Sequence, residues 1–138
     1  MSQSNLDVIK GVYAAFASGD IPAVLGVMSP AIVWNEAEHN LPLADGNPYV
    51  GPQAVLEGVF MRLGVEFDGF AVVPARLVAD GDCVVMCGRY SATSRATGSP
   101  VNVQAVHVWT LKDGKVTGFQ QHVDTLGLAV ATGRVTLG

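Results

Sequence analysis

The sequence has no basic stripe. Its eight Lys and Arg (Lys10, Arg62, Arg76, Arg89, Arg95, Lys112, Lys115 and Arg134) are scattered, and twelve acids outnumber them, for a net charge of −4. Nucleic-acid surfaces need clustered cations to neutralise phosphates, so that class of partner is excluded. There is no Gly-rich phosphate loop followed by Lys-Ser/Thr, and no dinucleotide fingerprint after a strand. No apolar run approaches the ~20 residues of a membrane span, and the first five residues lack the basic and apolar regions of a secretion signal. A soluble, cytoplasmic protein is the expectation.

Cysteine is scarce as well. Cys83 and Cys87 lie in one strand-like run, about 13 Å apart if extended, which is too far for a disulfide. They are expected as free thiols, and two ligands do not make a zinc site. No metal is expected elsewhere: Glu36, Glu38 and His39 match no closed metal spacing and read as part of a solvated acidic loop with Asn35 and Asn40.

What is abundant is apolar residue: 49% against 14% charged, in 138 residues. A single domain of this length must bury that surface internally, line a cavity with it, or hide it in an oligomer. All three stay open from composition.

The pattern along the chain is helices first, then strands. Leu6, Ile9, Val12, Tyr13 and Phe16 have helical spacing, with Ser4 or Asn5 as N-cap and Gly19 as the left-handed residue that closes the helix. Asp20 caps a second helix with Pro22 in its first turn, ending near Met28. Ser29-Pro30 reads as a break, residues 32–34 as a short strand, and residues 36–50 as a long irregular loop. Gly51-Pro52 opens a third helix carrying Val55, Leu56, Val59, Phe60 and Leu63. Four β-branched runs follow, residues 70–79, 83–93, 101–111 and 116–124, separated by turn signals such as Asp113-Gly114. They predict an antiparallel meander, and residues 125–131 a short last helix. The expected class is α+β, one domain over residues 1–138, with a curved sheet wrapped around N-terminal helices.

Four segments carry a family resemblance: residues 12–20 (Val-Tyr-Ala-Ala-Phe-Ala-Ser-Gly-Asp), 49–55 (Tyr-Val-Gly-Pro-Gln-Ala-Val), 107–116 (His-Val-Trp-Thr-Leu-Lys-Asp-Gly-Lys-Val) and 119–125 (Phe-Gln-Gln-His-Val-Asp-Thr). In this order they resemble the nuclear transport factor 2-like superfamily and its SnoaL-like branch, which includes polyketide cyclases and ketosteroid isomerases. The resemblance implies a cystatin-like cone enclosing a pocket for a small apolar or polycyclic molecule, no cofactor, and a homodimer through the sheet. It does not imply one reaction, because the same cone serves enzymes and binders.

The alternation of strands leaves open which parity faces the pocket. The resemblance implies that His107 and the row Gln120, His122, Asp124 point inward. His107, His122 and Asp124 would then form an acid–base set, with Tyr13, Trp34, Glu36, Phe60, Trp109 and Gln120 around the substrate. Each has a competing structural role. Asp124 is placed to cap the turn that follows it, His107 fits a satisfied core histidine, and Tyr13 fits the core of the first helix. Asp124 matches the acid–base aspartate of SnoaL-type cyclases, and Tyr13 the oxyanion tyrosine of ketosteroid isomerases. The chain departs from the isomerases where their two aspartates fall on Asn35 and His107, with Glu36 next door as a substitute base. The Asp–Arg–Asp set of limonene-epoxide hydrolases is absent from the 101–111 strand. Two functions follow: proton transfer on a small carbonyl-bearing substrate, or a non-catalytic binder or dimeric scaffold of the same fold.

Overall fold

The computed structural model describes residues 2–41 and 43–138. Helix α1 (Ser2–Ala17) lays Ile9 and Val12 into the core, and Gly19 closes it at φ 77°. Helix α2 (Ile21–Gly26) is capped by Asp20, whose side chain accepts the Ala23 N–H. It is shorter than expected, because Met28 already begins strand β1 (Met28–Asn35).

Pro30 therefore lies inside a strand instead of breaking the chain. The register of β1 against its neighbour shifts between Met28 and Val33, so Pro30 occupies a stretch where no ladder bond is needed from it. The loop beyond holds a 3₁₀ turn (Leu43–Gly46) and strand β2 (Tyr49–Val50). A helical segment follows in three parts: α3 (Pro52–Val55), one π-helical turn (Leu56–Phe60) and α4 (Met61–Glu66). The Tyr49 ring fills a slot between Gly46 and Gly58, where an added Cβ would meet ring carbon at 2.4 and 2.1 Å.

The sheet is completed by β3 (Phe67–Asp80), β4 (Cys83–Ser94), β5 (Pro100–Lys112) and β6 (Lys115–Val123), and helix α5 (Thr125–Ala131) closes the chain. The strand order is β2-β1-β6-β5-β4-β3. The β3–β6 pairs are antiparallel, as the turn signals predict, while β1 joins β6 in parallel. This six-stranded sheet is curved and unclosed, and α1, α2 and the α3–α4 segment pack into its concavity. The main core joins Ile9, Val12 and Val24 from the helices to Ile32, Trp34, Trp109 and Phe119 from the sheet.

Candidate functional site

The inner face of β5 is Val103, Ala105, His107, Trp109 and Leu111, all buried. Residues directly opposite in an antiparallel pair share a face. Across from His107 stands Gln121, and across from Trp109 stands Phe119. The expected row is therefore reversed: Gln120 and His122 oppose Val108 and Val106 on the outer face. His122 is exposed, and Gln120 shares a shallow surface groove with it, Glu38 and Thr125. Asp124 is exposed too, and its carboxylate caps α5 by accepting the Gly127 N–H at 2.9 Å. His107, His122 and Asp124 do not converge.

The physical reason is one residue. Lys112 pairs with Lys115 and Leu111 with Val116, but Thr110 pairs with Gly118, leaving Thr117 without a partner. This bulge shifts the register by one and moves every later side chain of β6 to the opposite face.

The polar floor built instead centres on His107. Its Nδ1 lies 2.7 Å from Tyr13 Oη and its Nε2 2.5 Å from Tyr90 Oη. The Trp109 indole N–H donates to Tyr13 Oη at 2.8 Å. Gln121 Nε2 donates to Tyr90 Oη at 2.8 Å, while its Oε1 accepts the Ala37 N–H and the Asn40 amide. Burial pulls His107 down from the ordinary 6.5 to about 3, so its ring is neutral in the folded chain. Burial raises both tyrosines, which keeps them protonated donors.

Glu36 is the second polar feature. It continues the buried parity of Ile32 and Trp34 past the end of β1, and it is 2% exposed. Asn35, on the other parity, is half-buried. The Trp34 indole N–H donates to Glu36 Oε2 at 3.0 Å. Asn47 clamps the Glu36 backbone from both sides, accepting from its N–H and donating to its carbonyl. Desolvation raises the Glu36 carboxyl from 4.5 to about 7, against the smaller pull of Trp34 and Arg62. The supposed solvated loop is thus split: Glu36 and Asn40 are buried, whereas Glu38 and His39 are exposed.

Glu36, Tyr13, Tyr90, His107 and Gln121 open on one cavity of about 60 Å³. Trp34, Phe60 and Trp109 are among its walls, together with Phe16, Phe70 and Phe119. The rings are tightly packed, with Trp34 stacked on Phe119 at 3.7 Å between centroids. The volume is well below the ~150 Å³ that holds a benzene-sized guest. A polycyclic molecule would enter only by displacing walls. Outside lies a surface groove of about 430 Å³ whose lining shares Phe16, Phe60, Leu63, Phe67 and Phe70 with the cavity. Phe60 ends the π-helical turn, a geometry that recurs at functional sites.

Sequence reasoning missed Tyr90, Gln121 and Asn40. Tyr90 could have been found from strand alternation once β4 was paired with β5, since it stands opposite Val103. Gln121 could not, because its side depends on the bulge.

The SnoaL-like domain family matches residues 9–119, so the chain belongs to that family. Among solved structures, it is similar to a nuclear transport factor 2-like protein from Burkholderia thailandensis at 34% identity and TM-score 0.87, over 95% of this chain and 97% of that one. A second such protein, from Burkholderia pseudomallei and of unknown function, shares the fold at 23% identity and TM-score 0.86, over 96% and 98%. TerC, co-crystallised with polyporic acid, is 25% identical at TM-score 0.84, over 94% and 98%. No curated protein matches the chain. No described helix is long and apolar enough to cross a membrane.

Proposed function

We propose that this SnoaL-like domain takes up a small, largely apolar molecule bearing a carbonyl oxygen and moves a proton on it, with Glu36 as the base. The observation that carries this reading is a carboxyl, 2% exposed, that lines the same cavity as two tyrosine hydroxyls; burial raises it to about 7 and keeps the tyrosines protonated. A base with a pKa near neutrality has both forms populated there and can take and return a proton. Glu36 would remove a proton from the carbon next to the carbonyl. The electron pair would move to the carbonyl oxygen, and a tyrosine hydroxyl would donate to that developing enolate. Return of the proton from Glu36 to carbon completes the cycle, at the same carbon or at a conjugated one. That TerC was co-crystallised with polyporic acid supports a ligand-binding reading.

The second reading is a non-catalytic binder, which uses the same cavity without proton transfer; the hydrogen bonds that His107 and Gln121 already make within the chain favour it. One experiment separates the two. Cyclopentanone is added in D₂O, its binding is followed by the fluorescence of Trp34 and Trp109, and deuterium uptake next to its carbonyl is followed by NMR. The enzyme reading expects uptake above the buffer rate, lowered by about 10²–10⁴-fold in Glu36→Gln. Binding without uptake leaves the binder reading.

We further propose a homodimer through the outer sheet face, where Val78, Val85 and Val108 align across three strands. Val78 is 45% exposed in the single chain. An exposed apolar row of this kind suits a self-complementary interface.

A further inference from the structure

The floor of the cavity holds one hydrogen more than its own bonds can use. Two of its bonds have fixed direction. Trp109 Nε1 can only donate, and it does so to Tyr13 Oη. The orientation of the Gln121 amide is set by the Ala37 N–H, which requires an oxygen opposite it, so Nε2 donates to Tyr90 Oη. Two contacts remain, Tyr13 to His107 Nδ1 and Tyr90 to His107 Nε2. Three hydrogens are available for them: one on each phenol and one on the neutral imidazole.

With the imidazole hydrogen on Nε2, Tyr13 donates to Nδ1 and Nε2 donates to Tyr90. The Tyr90 oxygen then accepts twice, and its own hydrogen is left over. With the hydrogen on Nδ1 the arrangement is mirrored, and the Tyr13 hydrogen is left over. Neither tautomer uses all three. Among the described residues, no further hydrogen bond from either hydroxyl takes up the surplus.

We propose that this surplus hydrogen recognises a single acceptor oxygen on the ligand, a carbonyl or phenolate oxygen, and that the tautomer of His107 selects whether Tyr13 or Tyr90 presents it. His107 is thus a positioning residue that lets one pocket address an oxygen at either of two points. This deepens the reading of the cavity as a ligand site and rests on it. It names the polar edge of the ligand, and it assigns His107 a part that needs no proton exchange with substrate.

Ring-¹⁵N-labelled histidine reports the tautomer directly. Tyr13→Phe leaves Nδ1 facing a ring, where an unpaired N–H costs more than an unpaired lone pair, so the hydrogen sits on Nε2 and the spare donor is the Tyr90 hydroxyl on the cavity. Tyr90→Phe reverses this. The expected result is opposite His107 tautomers in the two variants without any ligand, and a shift of the wild-type protein toward one tautomer on saturation with cyclopentanone. In binding, wild type and both single variants prefer cyclopentanone over its isostere methylenecyclopentane by about tenfold. The double variant loses that preference. The same tautomer in both single variants, or a doubly protonated ring, overturns the switch. If both molecules bind wild type equally, the cavity reading stands and the acceptor proposal falls; if neither binds, both fall. Should a Phe variant fail to fold, the ligand-induced tautomer shift of wild type decides, and its absence overturns the proposal.

Discussion

Glu36 stands two residues after Trp34, just past the end of β1 and on the same side, and the Trp34 indole N–H donates to its carboxylate at 3.0 Å. That single donor does not offset the loss of water around a carboxyl that is 2% exposed. The unfolded chain releases this proton near 4.5 and the folded chain near 7. The folded state therefore loses stability as pH rises from 4.5 to 7, by about 3 kcal/mol in all. Glu36→Gln keeps an acceptor for Trp34 and has no proton to lose. Measured by urea unfolding, its stability relative to wild type should rise across that interval and level off above pH 7. A relative stability that does not change with pH would show that Glu36 ionises normally.

His107 contributes the opposite slope. Its folded pKa is lowered to about 3 from 6.5, so its contribution is complete above 6.5 and is lost as pH falls toward 3. Between 4.5 and 6.5 the two effects oppose each other. These two groups should give a flat segment in that interval, with stability falling on either side. In Glu36→Gln the flat segment should be replaced by a rise with pH up to 6.5, read by thermal unfolding across a pH series.

Asp124 caps α5, and it faces solvent instead of the cavity. Asp124→Ala should cost about 1 kcal/mol of stability, the usual loss for an N-cap. Cyclopentanone binding and deuterium uptake should match wild type. A loss of uptake with stability unchanged would return Asp124 to the site.

Gly58 has no room for a methyl group, since a Cβ there would lie 2.1 Å from Cε1 of the buried Tyr49 ring. The ring cannot swing away freely, because its hydroxyl is bonded to Leu43 O and to Asp45, which also pairs with Arg62 at 2.8 Å. Gly58→Ala should destabilise the chain by about 1–3 kcal/mol, despite the better helix propensity of alanine. An unchanged or higher melting temperature would show that the slot is loose.

The outer face can be tested by charge. Val108→Glu places a carboxylate beside Val85, on the face away from the cavity. Sedimentation equilibrium should show a dimer for wild type and a monomer for the variant, with cyclopentanone binding retained in both. A monomeric wild type would dismiss the interface.

Much of the fold was legible because local rules decide it. Asp20 caps α2 and Gly19 ends α1 for reasons contained in their own side chains and backbone. The four-strand meander follows from alternation and turn chemistry, and the bounds of α5 coincide with the expected segment. The parallel union of β1 with β6 was not legible, because it joins residues far apart in sequence. The site failed at one point. An unbulged hairpin around Asp113-Gly114 would oppose His107 to Gln120 and put His122 and Asp124 on the inner face. Thr117 undoes that arrangement, and no residue preference announces it. Glu36 was read as a pocket residue, yet its burial depends on whether β1 keeps its parity beyond Asn35, which the loop clamp of Asn47 decides.

The wall shared by the cavity and the outer groove is one layer of side chains thick, mainly the rings of Phe16, Phe60, Phe67 and Phe70. On the proposed ligand reading, a guest entering from the groove would pass between those rings, and its arrival would then be timed by their rotation and not by diffusion alone. The same rings would close behind it. Capture should then be slow and release slower, and a molecule of modest affinity would still have a long residence inside.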